Sequence, residues 1–397
     1  MVKLLWLAEL RGVDMGLPDD AEYFVGALSP SKGVRFNHGK LFTPASNTKI
    51  LTSWFSLNTL GEDYEFYSEY SICDGTLYLR CRGNPLLGVS DINELIDQLY
   101  LPHCLQSVVL DTGYLNTEGR PPGWCFDDTG EGYAPVVSDV CFNLNRVGVE
   151  VRGEELIMDP PNSYFKVCLS RSAVKPLLKG RRVKVPASRL ASGGKTSFSY
   201  PSPPRFLLEY VAETLRRKGL VNGRLRLVLG RLRGTSTPFA VKKMGEVLRT
   251  LNKHSENIVA ELLLLHSGKK LGADSLGLSL KKLHEELEKI SITRVRLYDG
   301  SGLSRYNLVS PEAIVRVLEI LQDKRVFLES LPVGSVDGTL SKRLNDRVRA
   351  KTGSLQGVRA LSGYAGGECF SIIVNHCVDT DAAVRLIDEF VVERLLA

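Results

Sequence analysis

Ile50, Leu51, Trp54, Phe55 and Leu57 set apolar side chains at near-helical spacing, and Thr43-Pro44 marks a start, so a buried helix should open near Ser46. Farther along, Val247-Leu248 and Ile258 to Leu263 are apolar stretches separated by a polar break, which reads as a loop between two core helices. The alternation Arg347, Val348, Arg349, Ala350 leads into Lys351-Thr352-Gly353 and then Ser354-Leu355-Gln356-Gly357, the pattern of a strand running into a hairpin. Between these flanks the period shortens. Ser71 to Arg80 reads as a hairpin turning on Asp74-Gly75, and Gln106 to Leu110, Val147 to Val151 and Tyr164 to Leu169 read as strands. Arg205 to Leu220 has helical spacing broken at Gly219, and Arg224 to Leu229 alternates like a returning strand.

These elements imply an α/β fold of the α+β type with a discontinuous catalytic domain, residues 1–72 and 237–397, whose sheet is covered by helices. Residues 73–236 would form an insert of mostly short strands, divisible into two subdomains (about 73–150 plus 205–236, and 151–204). Length and composition allow this, since 397 residues at 43% hydrophobic can bury more than one core. No repeat or low-complexity tract appears.

Charge singles out part of the insert. Residues 165–235 hold 17 Lys and Arg against Glu209 and Glu213, a net of +15 in a chain of +6, so the remainder carries −9. Such a lobe attracts polyanions, among them lipid headgroups and wall polymers, unless it is only a solvated face. Arg224 and Arg226 would share one strand face. Aromatic residues are too few there for a single-stranded nucleic-acid platform, so nucleic acid is an unlikely partner.

The chemistry is carried by three short motifs in order: Ser46-Asn47-Thr48-Lys49, Ser255-Glu256-Asn257 and Lys351-Thr352-Gly353. A serine hydroxyl needs a base within reach, and three residues on, a helix returns a side chain to the same face. Ser192 with Lys195, Ser267 with Lys270 and Ser279 with Lys282 fit the same spacing, but only Ser46 opens an apolar helix and precedes the other two motifs. Taken singly, Ser46, Ser255 and Asn257 also suit helix caps. Taken together, they suggest Ser46 as nucleophile, Lys49 as its base and Ser255 as a proton relay. Asn257 would hold a substrate carbonyl, Lys351 and Thr352 a terminal carboxylate, and Gly353 would allow close approach, with the N–H groups of Ser46 and Ser354 as oxyanion hole. His254 beside Ser255 is a weaker candidate base.

With these residues the chain resembles a class C penicillin-binding protein, of the D-alanyl-D-alanine carboxypeptidase and endopeptidase family that carries a large insert between its first two motifs. The likeness extends to Pro44-Ala45 before the nucleophile, to Asp299-Gly300-Ser301-Gly302-Leu303-Ser304-Arg305, and to Leu331-Pro332, Asp337-Gly338-Thr339-Leu340 and Arg349-Ala350 before the third motif. Leu361 to Tyr364 and Phe370 to Asn375 then resemble its last two strands, and Ala382 to Leu396 its closing helix. Glu256 departs from the small or amide residue frequent there and would point away from the chemistry. The resemblance implies a penicillin-binding-protein/β-lactamase-like catalytic domain with an antiparallel sheet. It implies a serine hydrolase that acts on peptidoglycan stem peptides and binds β-lactam antibiotics, releasing D-alanine or a cross-link amine. A non-catalytic wall-binding protein, or a β-lactamase or esterase, are the alternatives on the same fold.

Location is where sequence and resemblance disagree. The family works in the periplasm or cell envelope, yet Lys3 to Ala8 followed by Glu9 and Arg11 is too short and too soon charged for a secretory core, so no signal peptide is visible and a cytoplasmic place stays open. No stretch is long enough to span a bilayer. Eight cysteines show no Cys-x-x-Cys spacing and read mostly as buried thiols, with Cys125–Cys141 a bridge only under oxidising conditions. Neither His-Glu-x-x-His, a Walker loop nor a dinucleotide fingerprint occurs, so no metal or organic cofactor is implied; oligomeric state is not legible.

Overall fold

In the computed structural model, which describes residues 24–100, 103–117, 119–153 and 155–397, the chain divides into two compact units. The amino-terminal segment from Lys3 to Arg11 lies outside the described residues. Of the described residues, the first unit takes those within 24–62, 121–123 and 244–397, the second those within 63–120 and 124–243.

A five-stranded antiparallel sheet centres the first unit. Its strands are β1 (Val25–Ser29), β2 (Val34–Phe36), β3 (Val348–Leu355), β4 (Val358–Ala365) and β5 (Glu368–Asn375), in the order β3-β4-β5-β1-β2. Both faces are covered. On one, Val348, Ala350, Leu361, Phe370, Ile372 and Val374 pack with Ala383, Ile387 and Phe390 from the closing helix Thr380–Phe390. On the other lie α1 (Thr48–Leu60) and α2 (Pro311–Leu321), and behind α1 packs α3, defined here as Asn257–Lys270, which follows helix Met244–Lys253 in the chain. Burial on both sides explains why β5 reads as the continuous run Cys369 to Val374 with no alternation.

β3 is an edge strand. Segment 332–334 covers its first half, with Ala350 N–H donating to the Pro332 carbonyl and Gly334 N–H to the Val348 carbonyl, each at 3.0 Å. The same parity leaves the backbone groups of Thr352 and Ser354 on that outer edge, past the end of the cover.

In the second unit, strand 226–229 pairs in parallel with 107–111, which pairs in parallel with 76–80. Strand 65–73 then pairs antiparallel with 76–80 and with 237–243. Two three-stranded sheets, 166–170/182–186/177–179 and 195–199/146–152/155–159, complete it with helices Val89–Asp97 and Pro203–Arg217.

The unit boundaries differ from the expected 72/73 and 236/237. The reason is pairing: Thr237 lies opposite Tyr70 and Lys243 opposite Glu65, so the strands that leave and rejoin the first unit belong wholly to the second unit's sheet. Nor does the insert split at 151, which falls inside strand 146–152. Leu77, Val108, Val149, Phe165, Val185, Phe198 and Phe206 share one buried cluster. No disulfide joins any of the eight cysteines, so the Cys125–Cys141 bridge is not formed. Four of them are buried, fewer than their surroundings in the sequence suggested; Cys104 and Cys168 are exposed.

Candidate active site

Ser46 lies in a single 3-10 turn, Ala45–Asn47, that runs straight into α1. It is not a cap: Pro44 and Asn47 hold the cap positions. The turn is strained and braced. Ala45 has φ +47°, a left-handed conformation costly for a residue with a Cβ, and its carbonyl accepts from Thr48 Oγ1 at 2.9 Å. Asn47 Nδ2 donates to Ser362 Oγ at 2.6 Å, and Ser362 Oγ lies 2.8 Å from Ser371 Oγ, which ties the turn to the middle of the sheet.

Two glycines let other segments close on this turn. A Cβ at Gly353 would stand 2.8 Å from the Pro44 carbonyl oxygen, and one at Gly302 (φ +82°) would stand 1.8 Å from that of Ala45. Only glycine fits either place.

Lys49 is wholly buried, and its Nζ has three neighbours: Ser46 Oγ at 3.0 Å, Asn257 Oδ1 at 2.6 Å and the Ser301 carbonyl at 2.7 Å. Burial pushes its pKa down from 10.5 to about 8, against the raising fields of Asp299, Glu261 and Glu256. Glu256 contributes the smallest of these three fields. Asp299 organises the glycine-rich run, accepting from Ser301 Oγ (2.8 Å), Gly302 N–H (2.8 Å), Ser304 N–H (2.7 Å) and Asn307 Nδ2 (2.6 Å).

Lys351 is buried as completely, and its Nζ donates to Ser255 Oγ at 2.9 Å and to the Thr352 carbonyl at 2.8 Å. Burial first, and the charge of Lys49 second, hold its pKa well below the usual lysine range. Among the described residues no carboxylate pairs with it. A buried amine without a counter-ion is a site for an anion, because an arriving carboxylate would restore its charged form. Thr352 Oγ1, next along β3, donates at 2.7 Å to Thr339 Oγ1 in the 3-10 turn Gly338–Leu340.

Ser255 sits in a turn with φ +59°, ahead of α3, whose cap position is Glu256; its hydroxyl is turned to Lys351 rather than to the helix. The structure therefore brings together Ser46, Lys49 and Asn257 by direct hydrogen bonds, and Ser255, Lys351 and Thr352 by another set. Ser354 follows on the open edge of β3. The competing serines are spent elsewhere. Ser267 Oγ donates to the Leu263 carbonyl and Ser279 Oγ to that of Ser275, while the Ser192 side chain lies outside the described residues. His254 is exposed and makes no hydrogen bond with Ser255. Sequence reasoning passed over Glu261, an acid inside the apolar run of α3, and gave Asp299 and Thr339 no role; an acid four residues after Asn257 on a buried helix was the available signal.

A serine hydroxyl hydrogen-bonded to a buried lysine of lowered pKa, beside a strand edge and a second buried lysine, is an arrangement able to support acyl transfer. The chain belongs to the D-Ala-D-Ala carboxypeptidase 3 (S13) family, whose model matches residues 34–393. It is similar to the D-alanyl-D-alanine carboxypeptidase DacB of Haemophilus influenzae, 25% identical over 375 residues that cover 83% of this chain and 78% of the relative. It is also similar to the penicillin-sensitive carboxypeptidase A of Dictyostelium discoideum, 24% identical over 432 residues, covering 90% and 82%. Among solved structures it matches penicillin binding protein 4 (dacB) from Haemophilus influenzae with a TM-score of 0.75 at 22% identity, over 97% of this chain and 99% of that one. Fold and enzyme class agree with the expectation from the motifs: a serine-type D-Ala-D-Ala carboxypeptidase on a penicillin-binding-protein fold.

Proposed function

We propose that this enzyme removes the terminal D-alanine of peptidoglycan stem peptides, or the amine of a D-alanine cross-link, through an acyl-enzyme on Ser46. Lys49 takes the Ser46 proton as Oγ attacks the penultimate D-alanine carbonyl. The developing oxyanion meets the N–H groups of Ser46 and Ser354, and the substrate lies along the open edge of β3. Asn257 holds the substrate carbonyl on the acyl side. Lys351 and Thr352 take the carboxylate, and Ser255, bonded to Lys351, relays the proton that Lys49 took from Ser46 to the leaving amine, which leaves Lys49 neutral again. Water then resolves the ester. A β-lactam would acylate the same serine. The observation that carries this reading is the hydrogen bond of Lys49 Nζ to Ser46 Oγ at 3.0 Å in a buried site. A non-catalytic wall-binding role would leave three motifs joined by hydrogen bonds without a use. The test is D-alanine release from a D-Ala-D-Ala-terminated peptide, which Ser46→Ala should abolish; undiminished release by that variant would refute the assignment.

We propose the cell envelope as the site of this work, a reading that membership of the family supports; no helix among the described residues is long and apolar enough to cross a membrane. For the basic segment we propose contact with an anionic envelope surface. Arg216, Arg217, Arg224 and Arg226 are exposed and form no ion pair among the described residues, which supports it. Against a strong field, Arg189, Lys195, Lys218 and Arg231 pair with Glu131, Glu150, Asp97 and Asp111, acids outside the segment.

A further inference from the structure

One carboxyl near Ser46 has no part in that scheme. Glu261 lies on α3 one turn after Asn257, so both side chains leave the same face of the helix, and it is wholly buried. A carboxyl is costly in such a place unless it is hydrogen-bonded, and an apolar residue would fill the position as well. Packing alone does not call for it.

Both Glu261 oxygens accept from the Gly300 N–H, each at 3.1 Å. The Gly300 carbonyl in turn accepts from Thr52 Oγ1 of α1 at 2.6 Å, and the next carbonyl, that of Ser301, accepts from Lys49 Nζ at 2.7 Å. The bond from α3 therefore fixes the backbone that carries one of the two acceptors of the lysine amine. The other is Asn257 Oδ1 at 2.6 Å, on the same helix. A neutral amine has two N–H bonds and one lone pair. With both N–H bonds engaged, the lone pair is left for the third neighbour, Ser46 Oγ.

We infer that Glu261 is a positioning residue for acylation: through the Gly300–Ser301 backbone it aims the Lys49 lone pair at the Ser46 hydroxyl. Two neighbours of one helix, Asn257 directly and Glu261 through the loop, set the orientation of the base. Asp299 from the glycine-rich run, Glu256 from the turn before α3 and Lys351 from β3 are the other charged groups acting at Lys49. Burial pushes Glu261 itself up to about 8, so below that pH it is mostly the neutral acid and serves the Gly300 N–H as a hydrogen-bond acceptor.

The inference rests on Ser46 and Lys49 being nucleophile and base. Its test compares Glu261→Gln, which keeps an acceptor but no charge, with Glu261→Met, which keeps the volume but neither. Acylation by a fluorescent penicillin is followed to saturation across pH, with thermal unfolding as a check. The Gln variant should keep the maximal rate within about threefold, because its amide oxygen still accepts from the Gly300 N–H. In the Met variant the maximal rate should fall by about thirtyfold or more at unchanged half-saturation, the expected result of a misaimed base. Equal maximal rates for Gln and Met would overturn the inference. Should Met not fold, a Gln variant slowed about thirtyfold or more would overturn it, because that variant keeps the acceptor for the Gly300 N–H. Wild-type protein labelled elsewhere than Ser46 would sink the underlying assignment instead.

Discussion

The base assigned here should reveal itself in the pH dependence of acylation. An ordinary lysine titrating at 10.5 is neutral in roughly three molecules in ten thousand at pH 7, whereas one lowered to about 8 is neutral in about one in ten. Burial therefore enlarges the reactive fraction of Lys49 by about 300-fold. Protonated lysine cannot accept the Ser46 proton, so the rate rises with pH while Lys49 deprotonates and levels once it is neutral. The perturbation is pH alone, and the substrate should be a thioester without a carboxylate, so that Lys351 does not add a second titration. The second-order rate constant should climb about tenfold per unit from pH 5.5 to 7.5 and flatten near pH 8. Because Lys49 is wholly buried, salt should move the midpoint little. A climb continuing unbroken past pH 9.5 would mean that the lysine is not desolvated. A flat profile between pH 6 and 9 would mean that it is not the base.

Other expectations follow from single contacts. Lys351→Gln or Thr352→Val should slow hydrolysis of a D-Ala-D-Ala peptide about ten- to a hundredfold more than that of the neutral thioester, the worth of a charged hydrogen bond of about 1.5–3 kcal/mol; equal losses in both assays would remove the carboxylate role. Gly302→Ala should cost about 1–3 kcal/mol in denaturant unfolding and slow acylation, since its methyl would meet the Ala45 carbonyl beside the nucleophile; an unchanged variant would show that the turn is not clamped there. Changing Arg216, Arg217, Arg224 and Arg226 to glutamine should release the enzyme from anionic vesicles at salt concentrations that the native chain withstands, with turnover of a soluble peptide unaltered. Co-sedimentation indifferent to both salt and substitution would leave these arginines as a solvated surface.

What the sequence shows of this site follows the range of the interactions. Ser46 and Lys49 are three apart on one turn, so local spacing pairs them. Lys351 and Ser255 meet across 96 positions, and only the order of motifs hinted at it. Glu261 was passed over because a hydropathy pattern counts it as an interruption of α3, whereas the Gly300 N–H makes it a partner. In the second unit, helix Val89–Asp97 is short and went unnoticed, and Pro238 masked strand 237–243. That strand is at the sheet's edge, where a missing N–H is tolerated. The charge count is partial for a related reason: a window in sequence takes in Arg189 and Lys195 but leaves out Glu131 and Glu150, which the fold sets against them.

The account stands on Ser46 as the atom that becomes acylated. Incubating the native chain with penicillin, digesting it and locating the adduct by mass spectrometry tests this directly, with Ser46→Ala run beside it. The adduct should fall on the peptide containing Ser46 and be absent from the variant. An adduct on Ser192, Ser267 or Ser279, or one that persists in Ser46→Ala, would contradict the account.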